Sequence, residues 1–143
     1  MDEVMGLPPA PRWFTVVAIA GLLFELAGCG MFAMQMSVDP AALPLDQRAM
    51  WDSAPAWMIA ASGVAVVSGL VGAILLLMRR RLAETLLLVS LIAIAVQFSA
   101  LLVVPKLRNL TTSDDLFLPF IIIVASYLIW HFARRAKSSG WLR

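Results

Sequence analysis

Four long apolar blocks alternate with short polar stretches along the 143-residue chain, over 13–36, 55–78, 83–104 and 115–134. A helix rises about 1.5 Å per residue, so roughly 20 apolar residues cross the ~30 Å hydrocarbon layer of a bilayer. Each block is long enough to do so. The polar breaks carry the matching stop signals. The prolines Pro8, Pro9 and Pro11 disfavour helix until Arg12. Asp39-Pro40 and Pro44 interrupt the chain after the first block, and Asp46 is placed to cap a short interfacial helix over 46–52 that brings Met50 and Trp51 to the membrane surface. Pro55 sits in the first turn of the second block, where its missing N–H costs little. Arg79, Arg80 and Arg81 stop that block abruptly, and the third follows after so short a turn that the two must form an antiparallel hairpin. The stretch PKLRNLTTSDD reads as a short polar connection, and Pro119 falls in the first turns of the fourth block. The pattern predicts an all-α integral membrane protein, an antiparallel four-helix transmembrane bundle forming a single domain over 1–143.

Composition narrows the function classes. Hydrophobic residues make up 62% and charged residues 14% of the chain, where soluble domains run nearer about half and a quarter. Too little sequence lies outside the blocks for a separate soluble domain. The head holds Asp2 and Glu3 instead of the cations of a secretory signal, so the first block is expected to be retained as a span. The single Cys29 excludes an intramolecular disulfide, and a net charge of +2 gives no support for nucleic-acid binding. The placement of charge is more informative than its sum. One side of the predicted topology carries eight cations, Arg12, Arg79, Arg80, Arg81, Arg134, Arg135, Lys137 and Arg143. The other side carries three, Arg48, Lys106 and Arg108, beside Asp39, Asp46, Asp52, Asp114 and Asp115. The excess of positive charge puts both termini in the cytoplasm. Trp13, Trp130 and His131 then fall at the inner interface, and Trp51 and Trp57 at the outer one.

One ionisable residue lies deep in a span. Glu25 sits near the centre of the first block, where a carboxylate costs about 2.5–3.5 kcal/mol by insertion scales. It belongs to a face at helical spacing, Ala18, Gly21, Glu25, Gly28, Phe32 and Gln35. Gly21 and Gly28, with Gly69 and Gly72 on the second span, are candidate helix-packing positions where backbones approach closely. If the small-residue faces turn inward, Glu25 meets a polar layer drawn from Gln97, Ser62, Ser68, Ser126 and Tyr127. Two readings of Glu25 stay open. It is either a protonated packing residue held by hydrogen bonds, or a group that titrates during transport or counters a cationic ligand. Arg79, Arg80, Arg81, Arg134 and Arg135 are read as topology determinants that meet anionic lipid heads. The sequence contains no metal-ligating cluster, phosphate-binding glycine loop or nucleophile–base pair, so no cofactor, no metal and no enzymatic activity is expected.

The run PAWMIAASGVAVVSGLVGAILLLMRRRLAETLLLVSL (55–91) and the tail WHFARRAKSSGWLR (130–143) resemble a family of small bacterial four-span membrane proteins. Its members are commonly labelled "sugar transporter", with no established biochemical function. The resemblance covers nearly the whole chain and implies a multi-pass protein of the bacterial inner membrane. The first span departs from it, placing Glu25 and Met31 where the family carries an Asn and an Asp. Separately, Glu25-x-x-Gly28 in a small-residue helix is similar to the first span of small multidrug-resistance transporters. Those four-span proteins use a membrane Glu to exchange protons for cationic drugs.

Two functions are therefore expected to compete. The first is a non-enzymatic membrane protein whose partners are lipids and either further copies of itself or other subunits of a larger membrane complex. The second is a small proton-coupled transporter of a sugar or cationic small molecule using Glu25. A third, binding of a lipid or quinone between spans, rests only on apolar surface.

Overall fold

Pro11 holds an extended backbone (φ −63°, ψ 152°), and helix begins at the next residue. The structure is a computed structural model describing residues 9–143; the head residues Asp2, Glu3 and Pro8 lie outside the described residues. Six α-helices follow in order: α1 (Arg12–Ser37), α2 (Leu45–Ser53), α3 (Ala56–Leu77), α4 (Leu82–Val103), α5 (Pro105–Leu110) and α6 (Phe117–Ser138). Short 3-10 turns occupy Pro40–Ala42 and Asp114–Leu116. Four of the helical segments, α1, α3, α4 and Asp114–Ser138, are long and apolar enough to cross a membrane.

The spans begin and end within a residue or two of the hydropathy blocks, except that α6 runs on to Ser138, into the basic tail. Three local details differ from expectation. Pro55 is the N-cap of α3, with ψ 153°, instead of a first-turn residue. Asp46 lies inside the first turn of α2, whose N-cap is Pro44, while Asp39 caps the 3-10 turn Pro40–Ala42, its Oδ1 accepting from Ala41 N at 3.0 Å. The stretch read as a plain connection contains α5, which Pro105 starts at its first turn and Thr111 ends by donating its hydroxyl to Leu107 O at 2.6 Å.

Helix α3 is central. It makes the most extensive pairing with α4 and also carries α1, while α4 carries α6, whose Ile129 and Phe132 also reach α1. Small residues permit the α3–α4 approach: a Cβ on Gly72 would fall 3.0 Å from Leu87 Cγ and 3.2 Å from the Leu87 backbone nitrogen. Phe14, Ala18, Leu76, Ala83, Leu87, Ala133, Ala136 and Leu142 form one buried cluster at the end that holds the α3–α4 turn. Ala100, Leu101 and Leu107 form another at the opposite end, packed with Met50 and Met58.

The turn end is closed by hydrogen bonds that the apolar pattern does not announce. Helix α3 ends with Arg79 N donating to Leu76 O (3.0 Å) and Arg80 N to Leu75 O (2.8 Å). Helix α6 ends the same way, Gly140 N to Lys137 O (3.1 Å) and Trp141 N to Ala136 O (3.0 Å). Both are Schellman motifs, which require a left-handed residue just past the helix. Gly140 adopts it at φ 76° without strain, but Arg79 adopts it at φ 59° at a cost of roughly 1–2 kcal/mol. The tail offsets that cost. Arg143 N donates to Arg79 O (2.7 Å), Arg81 N to Arg143 O (2.6 Å), and Arg79 Nε to Trp141 O (2.7 Å). The strap 141–143 thereby ties α6 to the turn, with its own Leu142 buried.

Glycines at tight and open positions should respond oppositely to bulk. Gly72→Leu overpacks the α3–α4 contact and should lower stability in mild detergent by about 1–3 kcal/mol. At Gly28 a Cβ would meet nothing within 4 Å, so Gly28→Leu should leave the unfolding transition of the monomer unchanged or raised. Thermal unfolding followed by circular dichroism checks both.

Candidate functional site

Helix α1 is apolar on every side, so its orientation is decided by a narrow stripe. Phe14, Ala18, Gly21 and Glu25, at spacings of four, three and four residues, are its buried positions. Glu25 is 6% exposed. Its carboxyl fits against α3 where Gly69 has no side chain: a Cβ there would collide with Glu25 Oε2 and lie 2.7 Å from its Cδ. The same Cβ would be 2.8 Å from Ser90 Oγ on α4, so one notch in α3 receives a polar side chain from each neighbouring helix. Ser90 Oγ donates across the helices to Ala65 O at 2.8 Å, which leaves its lone pairs as acceptors. Among the described residues none hydrogen-bonds to the Glu25 carboxyl.

The predicted polar layer is only partly gathered here. Ser62 and Ser68 are buried on α3, but their hydroxyls turn back to their own helix, to Met58 O (3.0 Å) and Val64 O (2.5 Å). Serine in an apolar helix commonly satisfies itself this way. Ser126 on α6 is buried with no hydrogen-bond partner for its Oγ, and Gln97 on α4 is half-buried. Tyr127 faces outward, 48% exposed, stacked on His131 at 6.0 Å and tilted against Trp130 at 5.7 Å. Ser90, absent from the expected polar layer, is the residue at the notch. Its signal in the sequence was the register it shares with Ala93 and Leu87 on the buried side of α4.

Farther along α1 the contacts loosen. Phe32 reaches α3 at Gly63, Cys29 Sγ lies 3.9 Å from Val66 O, and Gln35 is exposed. Of the expected packing glycines, Gly21 meets Ile129 of α6 at ordinary van der Waals distance, 3.6 Å from its virtual Cβ. Gly69 and Gly72 lie at the tight contacts, and Gly28 lies over open space.

Two recesses lie toward the ends of the molecule, and neither is lined by Glu25. One, of about 310 Å³, opens where α1 ends and α2 and α5 fold across α3 and α4; Gln35, Gln47, Met50, Trp51, Met58 and Leu107 are among its walls. It is an apolar hollow with two carboxamides and an indole, chemistry suited to a small amphipathic group. The other, of about 390 Å³, lies at the turn end and is lined by Arg81, Glu84, Arg134, Lys137 and Ser138. Of the cations expected at lipid heads, Arg81 and Arg134 therefore share a recess, whereas Arg79 is engaged by the strap and Arg80 and Arg135 are exposed outside it.

Compared with known proteins, the chain matches no family model, no curated protein and no solved structure.

The notch makes a specific coupling prediction. Gly69→Ala should lower stability by about 1–3 kcal/mol, since its methyl must displace a carboxyl and a hydroxyl together. In an Glu25→Ala background the same substitution should cost less than half as much. A double-mutant cycle of detergent unfolding measures the difference.

Proposed function

We propose that this protein is a non-enzymatic polytopic membrane protein, an antiparallel four-helix bundle that assembles laterally with copies of itself or with other membrane subunits. The observation that carries this reading is Glu25 itself: 6% exposed and fitted against Gly69, it acts as a packing wedge between α1 and α3. A carrier of small molecules needs its coupling group to meet substrate or water, and neither described recess is lined by Glu25. Lateral assembly is supported by how little of the outer spans is covered. Only 17% of the apolar window of α1 and 11% of that of Asp114–Ser138 is buried, against 39% for α3. On α1 the backbone at Gly28 and Gly30 is open, which lets another helix come close.

The charge pattern supports cytoplasmic termini. Trp13 and Trp141 are in ring contact at 5.6 Å, and the tail is bonded to Arg79 and Arg81, so most of the eight cations gather at one end. We place that end at the cytoplasmic face. The bacterial inner membrane is the location we propose for the protein; the comparisons add neither a location nor a substrate.

A second reading draws on one observation. The Glu25 carboxyl has no hydrogen-bond donor from another described residue, so a proton on it is not locked into a network. In that reading Glu25 exchanges a proton in a transport cycle, within a dimer that encloses more volume than four helices can.

Lateral assembly predicts a discrete oligomer, measured by light scattering on a size-exclusion column in mild detergent. Gly28→Leu together with Gly30→Leu should shift it to monomer while keeping the helical signal; a strictly monomeric wild type without partners overturns the proposal. For the second reading, Glu25→Gln should abolish proton-driven uptake or efflux in vesicles. Unchanged transport removes Glu25 from any mechanism.

A further inference from the structure

The recess at the turn end concentrates positive charge that the fold only partly neutralises. Arg81, Arg134 and Lys137 supply three cations and Glu84 one anion, from the start of α4 and the last turns of α6. Glu84 is engaged on both oxygens: Oε1 accepts from Trp130 Nε1 at 3.3 Å and Oε2 from Lys137 Nζ at 3.4 Å. Arg134 has no acidic partner among the described residues; its guanidinium lies 5.4 Å from the centre of the Trp130 ring. Arg81 is held by its backbone to Arg143 O and by Nε to Leu142 O at 3.3 Å, which leaves its terminal nitrogens available. The strap therefore fixes one cation and an aromatic face orients another, while Ser138 lines the same hollow.

We propose that this recess binds the phosphate headgroup of an anionic phospholipid. Two unneutralised guanidinium groups on separate helices match a phosphodiester, because each can present paired N–H donors to its oxygens. The surroundings favour a lipid over a free phosphate. Leu82, directly after Arg81, is 65% exposed, and Trp130 continues along α6 into exposed Tyr127 and Leu128, so apolar surface leads away from the charged hollow along both helices. Acyl chains attached to the phosphate would lie on that surface, with Trp130 at headgroup level. By bridging α4 and α6, such a lipid fastens the outer span that is least covered by protein. The proposal rests on the membrane reading of the four spans.

The test uses full-length protein purified in mild detergent and stripped of native lipid. Phosphatidylglycerol, phosphatidylcholine and inorganic phosphate are titrated separately, with bound lipid counted by native mass spectrometry and the unfolding midpoint recorded. Phosphatidylglycerol should be retained and should raise the midpoint, while phosphatidylcholine and inorganic phosphate do neither. Arg81→Gln with Arg134→Gln should weaken phosphatidylglycerol retention roughly tenfold. Arg134→Gln alone, which leaves the strap untouched, should weaken it in part if the double variant fails to fold. Arg80→Gln with Arg135→Gln removes the same charge outside the recess and should retain most binding. Equal retention of the two lipids, equal loss in both double variants, or saturation by inorganic phosphate alone would each overturn the lipid site. Carbonate extraction of membranes tests the membrane reading on its own: protein released by carbonate overturns that reading, whatever the lipid titration gives.

Discussion

The fold depends on how closely backbones can approach along α3. In a bilayer, apolar side chains gain little by leaving lipid for protein, so helices associate where small residues allow dense contact or where polar groups meet. Helix α3 provides both within two turns. Gly72 admits Leu87, and Gly69 admits Glu25 from one side and Ser90 from the other. The remaining spans are positioned from there: α4 by Leu87 and the Ser90–Ala65 bond, α1 by Glu25, and α6 through α4. A side chain at Gly69 would disturb three helices at once, because the same missing Cβ accommodates two polar groups.

This arrangement gives Glu25 a physical role that does not require titration. An apolar helix with no polar face can rotate about its axis with little change in energy, since every face suits lipid. Helix α1 is such a helix. One carboxyl that is costly in hydrocarbon and fits a single notch removes that freedom, fixing both the rotation and the height of α1 against α3. Past Glu25 the contacts pass to Cys29 and Phe32, and Gly28 and Gly30 stay uncovered.

Much of this was legible in the sequence, for reasons that also mark where legibility stopped. The four long helices follow from length and apolarity alone, which depend on no partner. Gly69 and Gly72 were marked by their small-residue spacing, and Glu25 by its isolation. The partners of Glu25 were not legible, because a serine in an apolar helix can bond its own i−4 carbonyl, as Ser62 and Ser68 do, or reach across, as Ser90 does. Only the interhelical register separates those outcomes. Tyr127 lies next to buried Ser126 in the chain, yet a helix turns about 100° per residue, so it faces outward to Trp130 and His131. The short α5 escaped notice because six residues carry too little periodicity to announce a helix.

The strap shows how a basic stretch can be structural and available at once. Charge placement reads Arg79, Arg80 and Arg81 as equivalent, three cations that stop a helix and set topology. Backbone geometry separates them. Arg79 is forced left-handed by the Schellman closure of α3, and both its carbonyl and its side chain are taken up by the tail. Arg80 is exposed, and Arg81 is pinned by its backbone while its guanidinium lines a recess with Arg134 and Lys137. A glycine at position 79 would relieve the strain but remove the Nε contact to Trp141 O, so the arginine exchanges local backbone comfort for a second tie to the tail. That exchange favours a rigid turn end, where the tail holds Arg79 and Arg81 in place. The opposite end, built from α2, α5 and a hollow with two carboxamides, is instead assembled from short helices and side-chain packing.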